Sequence, residues 1–95
     1  MKKDLKQIQN KIIPLLKANG VVKASIFGSY VTGKNTKKSD VDILVELNSD
    51  FGLFEFSGLK IALEKRLMKQ VDLVEYGAIR PELKQSILKN HVRIL

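Results

Sequence analysis

The chain has 95 residues and a net charge of +7, from 17 Lys and Arg against 10 Asp and Glu; this allows one domain with a modest core and excludes a large second substrate domain. It contains no cysteine and a single histidine, which excludes disulfides, thiolate metal sites and a zinc site built from histidine alone. The charge favours anionic partners, but lysines are spread through every predicted helix and aromatic residues are few, so a solvated basic surface is expected and direct nucleic-acid binding is not.

Met1-Lys2-Lys3-Asp4 begins a polar amphipathic pattern, not an apolar leader, and no apolar run approaches the ~18 residues of a membrane span. The expectation is a soluble, unprocessed protein of a reducing cytoplasm, with no membrane partner. Leu5, Ile8, Ile12, Leu15 and Leu16 recur at helical spacing and predict a first helix over residues 3 to 19. Pro14 falls inside it, which predicts a kink or two helical pieces meeting near Ile13. Asn19-Gly20 stops the helix, and residues 21 to 27 form a short β-rich run, followed by a brief helix from Ser29 to about Thr32.

A polar loop from Gly33 to Ser39 carries Lys34, Lys37 and Lys38, and residues 41 to 47 predict a second strand with Asp40 and Asp42 at its start. Asn48-Ser49-Asp50 can cap the next helix, to which Leu53, Phe54, Leu59, Ile61, Leu63 and Leu67 belong and which ends near Lys69. Residues 71 to 75 predict a third strand. Pro81 suits the first turn of a last helix with Leu83, Ile87 and Leu88 facing inward, and residues 91 to 95 add a terminal strand. Alternating strands and helices on so short a chain predict a small α/β domain spanning residues 1–95.

The chemistry concentrates between Gly28 and Asp42. Strand side chains alternate between faces, so Asp40 and Asp42 project from the same side and can reach one metal cluster. Mg²⁺ takes hard oxygen ligands, typically one or two carboxylates with substrate phosphates. Gly28 and Ser29 suit the phosphate end, because a glycine lets backbone approach an anion and a helix starting there presents free N–H groups. Each residue also has a plainer reading. Aspartates at strand starts form turns, Ser29 can simply cap a helix, the loop lysines can be solvated charges, Tyr30 and Tyr76 can be packing residues, and His91 is assigned no chemistry.

The pattern resembles the minimal nucleotidyltransferases of the DNA polymerase beta superfamily. Gly28, Ser29, Gly33, Ser39, Asp40 and Asp42 match their Gly-Ser pair, second glycine and Ser-Asp-x-Asp position by position, and Asp72 fits a third acidic residue on a later strand. The match extends to Arg80-Pro81-Glu82-Leu83-Lys84 at the opening of the last helix. One departure stands out: Thr32 occupies the position before the second glycine where family members often have arginine. Lys34 or Lys37 could substitute, as point charges without a planar fork.

The resemblance implies a polymerase beta-like fold, a short mixed sheet packed against helices, and a metal-dependent nucleotidyltransferase using ATP and two Mg²⁺ ions. Asp40 and Asp42 would bind the metal carrying the triphosphate, Asp42 would bridge to the second ion, and Asp72 would complete that site and help deprotonate the acceptor. Gly28, Ser29, Gly33, Lys34 and Ser39 would hold the nucleotide. Very short family members resemble antitoxins that place AMP on a tyrosine of a partner HEPN-domain ribonuclease toxin. Two alternatives remain open at this point. One is a non-catalytic module that neutralises its partner by contact, and the other a nucleotidyltransferase acting on a nucleic acid or small molecule.

Overall fold

The computed structural model describes residues 3–95; the reading of Met1 and Lys2 as part of a polar N-terminus lies outside the described residues. In chain order the elements are α1 (Lys3–Ala18), β1 (Lys23–Phe27), α2 (Ser29–Thr32), β2 (Val41–Glu46), α3 (Leu53–Leu67), β3 (Val71–Glu75), a 3₁₀ turn (Tyr76–Ala78), α4 (Pro81–Lys89) and β4 (His91–Arg93). The strands form one mixed sheet in the order β3-β2-β1-β4. Strand β1 lies antiparallel to β2 and to β4, while β2 and β3 run parallel and are joined by α3, as a parallel pair requires a long crossover.

Helix α1 buries Leu5, Ile8, Ile12 and Leu16, one stripe at three- and four-residue spacing. It runs as a single helix through Pro14, so the two-piece reading does not hold. Proline withholds a hydrogen bond from the carbonyl of Asn10, but both residues are exposed, so solvent can serve that carbonyl while the buried stripe continues unbroken. The helix ends where expected, with the Asn19 side chain donating to the Leu15 carbonyl and Gly20 at φ +73°. Strand β1 starts at Lys23 and not at residue 21, because the Val21 N–H is still committed to Leu16 at the end of α1.

Alternation divides the sheet. Ala24, Ile26, Val41, Ile43, Val45, Val71 and Leu73 face α1 and α3 and form the core with the stripe of α1 and with Leu59, Leu63 and Leu67 of α3. Three other apolar residues of α3 do not join it: Leu53, Phe54 and Ile61 are exposed. Asn48 does not cap α3 either. Its side chain accepts from the Asp50 N–H in a local turn, and the helix opens at Gly52 without a side-chain cap. Met68, in the left-handed region at φ 54°, ends the helix one residue after Leu67, short of Lys69.

The opposite face of the sheet is covered more thinly. The hydroxyls of Ser25, fully buried on β1, and Tyr76, in the 3₁₀ turn after β3, are 3.3 Å apart. Helix α4 buries none of its residues; Ile87 and Leu88 are half-buried and Leu83 stands outward, against the inward face expected of it. The regular pairing of β4 stops at Arg93 because the Ala24 carbonyl accepts from both Ile94 and Leu95, two residues opposite one. Among the described residues no helix is long and apolar enough to cross a membrane.

Candidate active site

The site grows from the turn at the end of β1. Gly28 leaves the strand at φ 79° and ψ −149°, a combination open essentially only to glycine, and its carbonyl receives the N–H groups of Val31 and Thr32 to start α2. The first two helical N–H groups, of Ser29 and Tyr30, have no acceptor within so short a helix and face outward from its start. Gly33 closes α2 in the left-handed region, and both its N–H and that of Lys34 reach the Ser29 carbonyl. Thr32 is exposed and its hydroxyl turns back to that same carbonyl.

The loop that follows braces itself. The Ser39 hydroxyl accepts from the Thr36 N–H at 2.8 Å, the Ser39 N–H returns to the Thr36 carbonyl, and the Lys38 N–H reaches the Thr36 hydroxyl. Ser39 thus shapes the turn that delivers Asp40 to the start of β2. Lys34 is exposed and forms no salt bridge among the described residues.

Strand register then assembles the acids. Asp42 sits opposite Phe27 on the antiparallel side and opposite Asp72 on the parallel side, so both carboxylates rise from one face of adjacent strands. The Val41 N–H bonded to the Gln70 carbonyl, and the Glu64 carboxylate accepting from the Val71 N–H, fix where β3 begins and hence this register. Asp40 is exposed just before β2, Asp72 is exposed, and Asp42 is half-buried between them. Asp42 lies so close over Gly28 that a methyl group there would overlap its Oδ2 and stand 3.0 Å from its Cγ. The approach that needs a glycine is therefore made first by Asp42.

Burial, then the charge of Asp72, then that of Asp40 push the Asp42 carboxyl up to about 6. The raised value means that the folded chain holds this proton more tightly than the unfolded one. Asp42 therefore costs the fold nothing below about pH 3.8, the usual aspartate value, and its cost grows until about pH 6. The expected result is a carboxyl carbon resonance of Asp42 that titrates near pH 6 in the free protein and shifts its midpoint downward when Mg²⁺ is added. A midpoint near the usual value would show that neither burial nor the neighbouring carboxylates act on Asp42.

These acids suit a divalent cation: they are hard oxygen donors whose mutual repulsion a cation relieves. Among the described residues no three acidic or imidazole side chains form a ready-made metal cage. Two further residues share the row of Asp42 and Asp72 across the sheet. They are Phe27 and, opposite it on β4, His91, whose Nδ1 lies 2.6 Å from the Leu88 carbonyl and ties β4 to the end of α4. The pairing of β4 with β1, which puts His91 there, has no local sequence signal.

Comparison with known proteins agrees with this geometry. Residues 10–95 match the family described as polymerase beta, nucleotidyltransferase. A Methanocaldococcus jannaschii chain named "putative protein adenylyltransferase" is 44% identical over 92 residues, covering 97% of this chain and 99% of its own. Two solved structures superpose closely. A toxin-antitoxin crystal structure with AMP-PNP has a TM-score of 0.81 at 29% identity, over 92% of this chain and 72% of the other. A complex of tri-AMPylated Shewanella oneidensis HEPN toxin with its MNT antitoxin has a TM-score of 0.74 at 26% identity, over 95% and 71%.

Proposed function

Because the chain belongs to the polymerase beta nucleotidyltransferase family, we propose that it is a protein adenylyltransferase that moves AMP from ATP to a tyrosine hydroxyl of a partner HEPN toxin, and so acts as an antitoxin. The observation that carries the reading is the register that sets Asp42 beside Asp72 and directly over Gly28. The relatives' names support the reaction class and the protein partner. Residues 1–95 form one nucleotidyltransferase domain that acts in the cytoplasm.

Asp40, Asp42 and Asp72 would hold up to two Mg²⁺ ions together with the triphosphate, and these ions would supply neutralisation of the phosphates and of the entering and leaving oxygens. Asp40 and Asp42 hold the triphosphate end, and Gly28, Ser29 and Gly33 shape the turn whose N–H groups meet its outer phosphates. Ser39 acts through the loop it braces, and Lys34 supplies charge from beyond Gly33. The acceptor oxygen forms a bond to the α-phosphorus, the bond from that phosphorus to pyrophosphate breaks, and the phenol proton passes to Asp72, whose exposure leaves room for a docked protein.

An Asp72→Asn variant should separate binding from turnover. Affinity for ATP with Mg²⁺ should stay within about threefold while transfer falls by at least about 100-fold, the scale of lost proton-transfer assistance. Equal losses in both would assign Asp72 to the nucleotide site. The reading itself is tested by incubating the partner, identified from the adjoining reading frame, with ATP, Mg²⁺ and this protein. The partner should gain one or more AMP groups by intact mass and stay inactive after this protein is removed. A second reading, neutralisation by contact alone, draws on Thr32, which offers the phosphates no guanidinium and whose hydroxyl is turned back on α2. A partner that is silenced without any change in mass would establish it.

A further inference from the structure

On the core side of the sheet, away from the face that carries Asp42 and Asp72, a cavity of about 490 Å³ opens between α1, α2 and the 33–39 loop. Lys11 of α1, Lys37 of the loop and Lys69 beyond α3 line it, and among the described residues none of the three forms a salt bridge. The Lys69 ammonium donates to the Lys37 carbonyl at 3.2 Å and stands 6.0 Å from the centre of the Tyr30 ring, so it is held over the cavity. Asp4 brings the one carboxylate, and Asn35 engages it at 3.5 Å.

Tyr30 gives the second, independent observation. Its side chain is 3% exposed, yet its hydroxyl makes no hydrogen bond among the described residues. No side-chain polar atom that is fully buried lacks a partner there, so the sliver of Tyr30 left uncovered includes the hydroxyl, and Tyr30 lines this cavity. The ring is thus fixed in the core while its hydroxyl reaches the cavity and can donate to a ligand there. The cavity therefore combines three ammonium groups, none of them in a salt bridge among the described residues, with a hydroxyl that has no protein partner there.

From this juxtaposition we infer that the cavity is a second anion site that takes a small polyphosphate, the chemistry shared by a nucleoside triphosphate and by the pyrophosphate that nucleotidyl transfer releases. Lys11, Lys37 and Lys69 supply the charge and Tyr30 the directed hydrogen bond. The site is separate from the catalytic carboxylates, which repel a polyanion unless a metal is present. Metal-free conditions therefore isolate it.

The experiment is titration of the full chain with sodium pyrophosphate, with ATP, and with adenosine as the uncharged control, in EDTA at physiological ionic strength, followed by calorimetry and amide shifts. Saturable one-site binding of pyrophosphate or ATP is expected, with shifts at Tyr30, Asn35, Thr36, Lys37 and Lys69; tighter binding of one of the two identifies the source. Lys11→Gln with Lys69→Gln should weaken it by about tenfold or more, the scale of two ammonium contacts in a partly enclosed site. Tyr30→Phe keeps the buried ring and should weaken it by about threefold, with circular dichroism confirming the fold. Asp42→Asn should leave it unchanged. Absence of saturable binding in EDTA, indifference to the lysine changes, shifts spread over all surface lysines, or shifts centred on Gly28 and Asp42 would each overturn the inference.

Discussion

Replacing Asp40 and Asp42 together by asparagine should abolish transfer while leaving the domain folded. Asparagine keeps the size of each side chain and removes the charge that holds a cation and opposes its neighbours, so the loss falls on chemistry and not on packing. A decrease of at least about 1,000-fold is expected, roughly 4 kcal/mol of transition-state stabilisation at 1.36 kcal/mol per decade. Affinity for ATP with Mg²⁺ should fall with it. Binding to the partner protein should persist, which lets the same variant separate modification from contact.

Stability should move the other way. The carboxyl of Asp42 is pushed up to about 6 by burial and by Asp72 and Asp40, so above that pH the wild-type fold carries a charge it disfavours. The variant carries none. Its melting temperature should equal or exceed that of the wild type at pH 7, and the difference should shrink toward pH 4, where the wild-type carboxyls take up protons. A variant that melts well below wild type at pH 7 would mean that Asp40 or Asp42 holds the fold together. Unchanged transfer would remove both from the reaction.

The catalytic pattern was readable because it is local. Gly28, Ser29 and Gly33 are tied by the turn geometry of a strand entering a short helix, and Asp40 and Asp42 by the alternation of one strand, so their spacing alone carries the information. The order of the helices and strands was readable for the same reason, from the stripes of α1 and the β-rich runs. What spacing alone does not carry depends on contacts between distant segments. Only the family resemblance placed Asp72 with Asp42; the physical reason is the parallel pairing of β2 and β3, which the Gln70 carbonyl and the Glu64 carboxylate fix. Periodicity also counts apolar residues without knowing what covers them, so Leu83, whose spacing predicts an inward face, stands outside. The helix continues through Pro14 where both Asn10 and Pro14 are exposed, so solvent can serve the orphaned carbonyl, a matter of exposure that the proline itself does not announce.

Gly28 is where local and long-range requirements meet, and Gly28→Ala should be the most damaging single methyl addition in the chain. Two costs combine. Its backbone, at φ 79° and ψ −149°, lies where a side chain costs about 1–3 kcal/mol, and the added methyl overlaps Oδ2 of Asp42. The variant should lose about 2 kcal/mol or more of stability, and the molecules that remain folded should lose at least about 100-fold in transfer, because the Asp42 carboxylate has to swing away from its position beside Asp72. A double-mutant cycle with Asp42→Ala separates the two costs, since truncation removes the overlapping oxygen and leaves a Cβ at an ordinary 3.4 Å. Gly28→Ala should cost less stability in that background, with the remainder reporting backbone strain alone. Equal costs in both backgrounds, measured by chemical denaturation, would show that Asp42 does not require the glycine. The turn would then be kept for its backbone and for the phosphates it faces.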